Sequence, residues 1–268
     1  INLVRQLLYL SAEPLTRPML LRAILTVALL GATVTPLMTH AADQSTGVAA
    51  PEKSPISWTR AVNTRPGREA PDLLARLRDG FGMPDLNNAW GQKYQNYYIQ
   101  NPGAMRRLLD NGRRYAYFVL EELERRGMPS ELALLPMVES SYNPKALSPA
   151  RAAGLWQFIP STGRNYGLSQ SWWEDNRRDV VSSTGAALDY LSYLYSLMGD
   201  WHLALASYNW GEGSVGRAVA KNQAQGLPTG YDDIRMPAET KNYVPRLQAI
   251  KNILRDPQLV AQMNLPVL

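Results

Sequence analysis

The chain has 268 residues, 45% of them hydrophobic and 19% charged, enough for one sizeable globular domain with flanking segments. It has no cysteine and only two histidines, His40 and His202, which excludes disulfide scaffolds, thiolate zinc sites, thiol nucleophiles and a lipid-bearing cysteine, and argues against a histidine-rich metal centre or a Ser-His-Asp triad. The net charge of +5 suits an anionic polymer but is too mild to argue for nucleic acid.

The N-terminal stretch reads as an export signal. Arg17 and Arg22 flank the start of AILTVALLGATV, which is followed by Pro36 and the small-residue site Thr39-His40-Ala41. This apolar run is shorter than the roughly 20 residues of a membrane-spanning helix. Cleavage near Ala41 or Ala42 is therefore expected, with an uncleaved anchor as the alternative. Met19 stands just ahead of the pattern, so residues 1–18 read as upstream-translated sequence and residues 19–41 as the signal. Those 41 residues hold Arg5, Arg17, Arg22 and Glu13; without them 25 basic residues face 22 acidic ones, a net of +3. Residues 42–70 are polar, with scattered Pro, Gly and Ser and no sustained period, and read as a linker.

From residue 71 the pattern turns helical. Leu73, Leu74, Leu77 and Phe81 share one face of a short helix ending at Gly80 and Gly82. Residues 88–100 place Trp90, Tyr94, Tyr97 and Tyr98 on one stripe, expected to pack into the core rather than to stack on a ligand. Residues 104–126 read as one helix with Leu108, Tyr115, Phe118, Val119 and Leu123 inward, closed by Gly127. Ser130 is a candidate N-cap for the next helix, which carries Glu139. A long helix is expected over 180–198, another capped by Asp200 through Ala206, and a last one from Pro237 or Ala238 to about Leu254. No segment shows sustained β alternation, so the fold class is mainly α.

Glu139 is the candidate catalytic group. An isolated helical glutamate is ordinarily a solvated surface residue. Here Leu134, Leu135, Met137 and Val138 surround it with apolar bulk, and desolvation favours the protonated form that a general acid needs. Pro136 inside the same short helix is expected to kink its axis and tip the acid into a cleft. Ordinary glycosidases use two carboxylates. Glu131 is about 80° round and two turns away on an ideal helix, and the more distant Asp189, Glu212 and Glu239 stay open, so one acid fits better than a local pair.

Four blocks then occur in order: Glu139-Ser140, Gly154-Leu155-Trp156-Gln157-Phe158-Ile159-Pro160-Ser161-Thr162, Ala206-Ser207-Tyr208-Asn209-Trp210-Gly211 and Glu239-Thr240-Lys241-Asn242-Tyr243-Val244. Over about residues 85–255 they resemble the soluble-lytic-transglycosylase-like, goose-lysozyme-related superfamily, lytic transglycosylase family 1. The Trp156-Gln157-Phe158 run and GMPSELALLPMVES are most similar to its membrane-bound D-type branch.

The resemblance implies a lysozyme-like helical domain over residues 71–255. It implies cleavage of the MurNAc-β-1,4-GlcNAc bond of peptidoglycan without water, giving 1,6-anhydroMurNAc ends. Glu139 would act as acid, then as base toward the sugar's own C6 hydroxyl, so a second carboxylate is not needed. Ser148, Gln157, Phe158, Tyr208, Asn209 and Tyr243 would contact substrate. Each has a structural reading beside it: Ser148 as a helix cap before Pro149, Gln157 satisfying a turn, Tyr208-Asn209 ending a helix, and Trp156 or Phe158 filling the core. Trp172 and Trp173 are expected to pack.

No metal or organic cofactor is implied. The expected partners are peptidoglycan glycan strands and cell-wall regulators, with no nucleic acid, in the periplasm or cell envelope of a Gram-negative bacterium, in association with the outer membrane. Members of the D-type branch carry C-terminal LysM repeats, and residues 256–268 read as a tail leading towards such a region. The alternatives are a hydrolase of the same fold and a non-catalytic peptidoglycan-binding protein.

Overall fold

The computed structural model describes residues 72–266, so the expected signal and linker lie outside the described residues. Eleven α-helices and one 3₁₀ turn follow in order among them: α1 (Leu73–Asp79), α2 (Ala89–Gln100), α3 (Pro102–Gly112), α4 (Ala116–Arg125), the 3₁₀ turn (Ser130–Leu134), α5 (Leu135–Ser140), α6 (Pro160–Asn165), α7 (Val180–Met198), α8 (Trp201–Trp210), α9 (Glu212–Ala224), α10 (Ala238–Arg255) and α11 (Pro257–Gln262). The only β features among the described residues are isolated bridges, two of which (Leu147 with Ala153, Ala153 with Phe158) shape the loop before α6. The chain is mainly helical, as its periodicity indicates.

The central element is α8. Every residue from Trp201 to Ser207 is buried, the pattern of a helix enclosed on all sides. It packs against α7, α9 and α10. Its start is local chemistry: the Asp200 carboxylate accepts from the Leu203 amide at 2.9 Å. It runs past the expected end at Ala206, and Gly211 stops it with φ +92°. Asp179 caps α7 in the same way, accepting from Ser182 at 2.7 Å. Gly127, with φ +66°, closes α4 as expected, and the Met128 amide reaches back to Leu123 O at 2.9 Å.

Five expectations are corrected. The helix expected over 104–126 is two, broken after Gly112, because the Tyr142 ring packs so closely that an added Cβ there would meet it at 3.2 Å. The aromatic stripe of α2 is not core: Trp90 and Tyr97 are exposed and Tyr94 and Tyr98 half-buried. This helix meets α10 through polar groups, Tyr94 donating to Asn242 Oδ1 at 3.1 Å and Asn252 to Gln95 Oε1 at 3.0 Å.

Ser130 caps no helix; its hydroxyl donates instead to Leu77 O at 2.5 Å and ties the 3₁₀ turn to α1. Pro136 does not kink a helix interior. It sits in the first turn of α5, where its missing N–H leaves no hydrogen bond unmade. Trp172 and Trp173 do not pack: at 89% and 90% exposure they stand at the tip of a turn between α6 and α7. The expected tail is helical over α11, which packs on α10.

Candidate active site

Glu139 lies in the last turn of α5, half-buried, with Leu135, Pro136 and Met137 buried behind it. The Tyr243 hydroxyl, on α10, donates to its Oε1. Beyond Ser140 the backbone turns sharply. Ser141 and Tyr142 both adopt left-handed φ, 53° and 59°, a conformation that costs non-glycine residues of the order of 1–3 kcal/mol each. Tyr142 holds this turn from inside: its ring is 1% exposed and its hydroxyl donates to Ala133 O at 2.6 Å.

The four sequence blocks form a closed circuit of contacts. Ser140 Oγ donates to Leu155 O at 2.8 Å, tying the acid's helix to the 154–158 loop. Tyr208, in the last turn of α8, donates to Trp156 O at 2.8 Å. Its neighbour Asn209 accepts from Thr240 Oγ1 at 2.9 Å, joining α8 to α10. One turn along α10, Tyr243 returns to Glu139. The circuit spans 105 residues of sequence and holds α5 through Ser140 and the carboxylate through Tyr243.

The 154–158 loop is rigidly built. Arg177 Nη1 donates to Arg151 O at 2.7 Å and to Phe158 O at 3.0 Å, while its guanidinium pairs with Asp175 at 2.7 Å. Gly154 has φ +82°, and an added Cβ would stand 1.8 Å from Arg177 O, so glycine is required for both conformation and space. Gly154→Ala is therefore expected to cost about 3 kcal/mol or more, from left-handed strain plus overpacking. That should appear as a fall of roughly 10 °C in the thermal midpoint; an unchanged midpoint would contradict this account of the loop.

The predicted site residues divide between facing and supporting positions. Gln157 has φ +52°, is 8% exposed, and its side-chain amide donates to Gly154 O at 2.8 Å. Ser148 heads a tight turn rather than a helix, its Oγ accepting from the Ala152 amide at 3.0 Å. Trp156 and Phe158 are both buried, at 0% and 3%, where only one was expected to be. The Trp156 indole donates to Thr184 Oγ1 at 3.0 Å, and Phe158 meets Tyr208 edge-on with centroids 6.4 Å apart. Phe158 thus backs Tyr208 rather than offering an open face. Tyr208, Asn209 and Glu139 are half-buried.

Sequence reasoning missed Tyr190 and the role of Glu212. The Tyr190 ring lies 5.4 Å from that of Tyr208 and 5.0 Å from that of Tyr166, and its hydroxyl donates to Glu212 Oε2 at 3.1 Å. Burial, and secondarily the charge of Glu139, raises the Tyr208 hydroxyl pKa well above the ordinary range. Burial, and secondarily Glu212, does the same to Tyr190, and burial pushes Tyr166 up to about 12. All three remain protonated at any physiological pH, so they serve as donors and packing, not as bases. The only local hint of Tyr190 is its place on the buried face of α7, which does not tell a wall of a site from ordinary core.

The other acids weighed as partners are accounted for. Glu131 is fully buried and paired with Lys251 at 2.8 Å, and Asp189 pairs with Arg126 at 2.7 Å. Glu239 lies in the first turn of α10.

Residues 117–227 match the family described as Transglycosylase SLT domain. The chain is 44% identical over 188 residues to membrane-bound lytic murein transglycosylase D of Escherichia coli strain K12, covering 69% of this chain and 41% of that protein. The same figures hold for the protein of that name from Escherichia coli O6:H1. Membrane-bound lytic murein transglycosylase C of Actinobacillus succinogenes is 26% identical over 200 residues, covering 62% of this chain and 56% of that protein. The chain thus spans about two fifths of the length of the first two relatives.

Proposed function

We propose, from the premise that residues 117–227 are a transglycosylase SLT domain of lysozyme-like fold, that the protein cleaves peptidoglycan glycan strands at the MurNAc-β-1,4-GlcNAc bond without water. The observation that carries this reading is Glu139, held by the Tyr243 hydroxyl at the end of a half-buried helix within the circuit of four motifs.

In this reading Glu139 begins protonated and donates to the glycosidic oxygen as the C1–O bond breaks. Its carboxylate then removes the proton of the same sugar's C6 hydroxyl, whose oxygen closes on C1. The substrate supplies the nucleophile, the proton returns to Glu139, and no second enzymic carboxylate takes part. Tyr243 holds the carboxyl group through one of its oxygens. Tyr208 and Asn209 form the wall beside it, and Gln157 and Ser148 shape the loop that borders the glycan. The cell envelope is the compartment that holds this substrate, and membrane association and wall regulators belong to the same proposal.

Mass spectrometry of digested, purified sacculi tests it. Products should be lighter than the corresponding hydrolysed muropeptides by one water, and their ends should resist borohydride reduction. Reducible, water-added ends would instead assign hydrolysis to the same site.

A further inference from the structure

A second feature adjoins this site. A groove of about 380 Å³ opens between α9 and the segment before α10, lined among others by Trp210, Ser214, Arg217, Lys221, Asn222 and Arg235. Among the described residues no acidic side chain lines it, and none of its three cations has an ion-pair partner.

That arrangement is mildly repulsive, and a bound anion relieves it. Arg217 and Lys221 are four residues apart on one face of α9, where like charges repel. Lys221 gains from the helix C-terminal dipole, but Arg217, a turn earlier, does not. Arg235, from the segment before α10, lines the same groove.

The groove begins where the α8 motif ends. Its Trp210 wall follows Tyr208 and Asn209 directly on α8. The Arg217 guanidinium folds back along α9, donating to Ser214 Oγ at 3.1 Å and lying 3.3 Å from where a Cβ of Gly213 would be. It is thereby drawn towards Gly211, where the α8 motif ends.

We infer that this groove binds carboxylates of the short peptides that branch from the wall glycan. The inference rests on the proposed function for its choice of ligand. Wall glycan chains carry their anionic groups mainly on these peptides, and an aromatic wall flanked by three cations suits a short peptide with free carboxylates. The enzyme would then distinguish peptide-bearing from bare strands by electrostatics outside the cleft that holds Glu139.

The test is a binding titration with two soluble probes, a disaccharide-tetrapeptide muropeptide and the same disaccharide without peptide. Wild type is expected to bind the first at least about fivefold more tightly, and the preference should shrink as salt rises from 50 to 300 mM. Arg217→Gln/Lys221→Gln should abolish the preference and leave affinity for the bare disaccharide unchanged, while Arg217→Lys/Lys221→Arg should keep it. Both positions are exposed, and circular dichroism verifies the fold of each variant. Absence of a preference in wild type, or its survival in the Gln variant, overturns the inference. Because binding is read directly, a negative result here is separable from failure to form anhydro products, which would count against the proposed reaction instead.

Discussion

Glu139→Gln is expected to lower turnover on purified sacculi by about 10³-fold or more, at the upper end of what one acid-base group contributes, because in the proposed reaction it serves both steps. The amide has the carboxyl's shape and its oxygen still accepts from the Tyr243 hydroxyl, so the circuit through α5, the 154–158 loop, α8 and α10 is kept. Glycan binding, measured by co-sedimentation with sacculi, should stay within about twofold, and the thermal midpoint should not fall. Retention of more than a tenth of wild-type anhydro product would remove Glu139 from the role assigned to it. If the protein's cellular role survived this variant, it would be a binding protein rather than an enzyme. Tyr243→Phe separates orientation from proton transfer: it leaves the acid in place but frees its rotamer, and a loss of about tenfold in kcat with little change in KM is expected.

The second large effect lies beneath the site. Lys251 is 1% exposed and Glu131 fully buried. The ammonium donates to Met83 O at 2.8 Å and pairs with Glu131 at 2.8 Å and Asp85 at 3.0 Å. Glu131 also accepts from the Gly82 amide at 3.0 Å and the Met83 amide at 2.9 Å. This cluster clamps the chain between α1 and α2 onto α10, the helix that carries Tyr243, and onto the 3₁₀ turn leading into α5. Lys251→Met leaves Glu131 buried without a cation and should cost about 3–5 kcal/mol, while Glu131→Gln leaves Lys251 its Asp85 partner and should cost less. The double variant should cost less than the sum of the two, since no Glu131 carboxylate is then left without its cation. Chemical unfolding of the four proteins checks both statements, and strict additivity would refute the coupling.

Asp85 sets the acid limit of the same cluster. The Arg255 guanidinium first, with Lys251 and Gln248 behind it, holds its carboxyl below the usual carboxylate range. A depressed folded pKa gives stability that is full above the unfolded value of about 3.9 and is lost as pH falls through the lower folded value. Wild-type stability should accordingly decline below about pH 4, and less steeply in Asp85→Asn.

Much of the fold was legible because helix ends are local events. Asp200 caps α8 through an amide three residues away, Pro237 opens α10 and the apolar period marks α7, so these elements were placed without any knowledge of neighbours. The boundaries that failed were set by distant chain: Tyr142 packing on Gly112 separates α3 from α4, and Leu77 draws the Ser130 hydroxyl away from capping.

The candidate site divides in the same way. Its residue types, their order and the apolar setting of Glu139 are properties of the sequence alone, which also names the family resembled. Which aromatic ring faces inward is not such a property: Trp156 and Phe158 are buried while Trp172 and Trp173 are bare, although all four sit outside the helices. Burial depends on which other elements arrive at a position. Tyr243 meets Glu139 across 104 residues, and Lys251 meets Glu131 across 120. Sequence determined which chemistry this chain carries, because residue type and short-range spacing are written locally. Only the tertiary structure decided which groups converge, because hydrogen bonds and ion pairs act over a few ångströms between segments that are far apart along the chain.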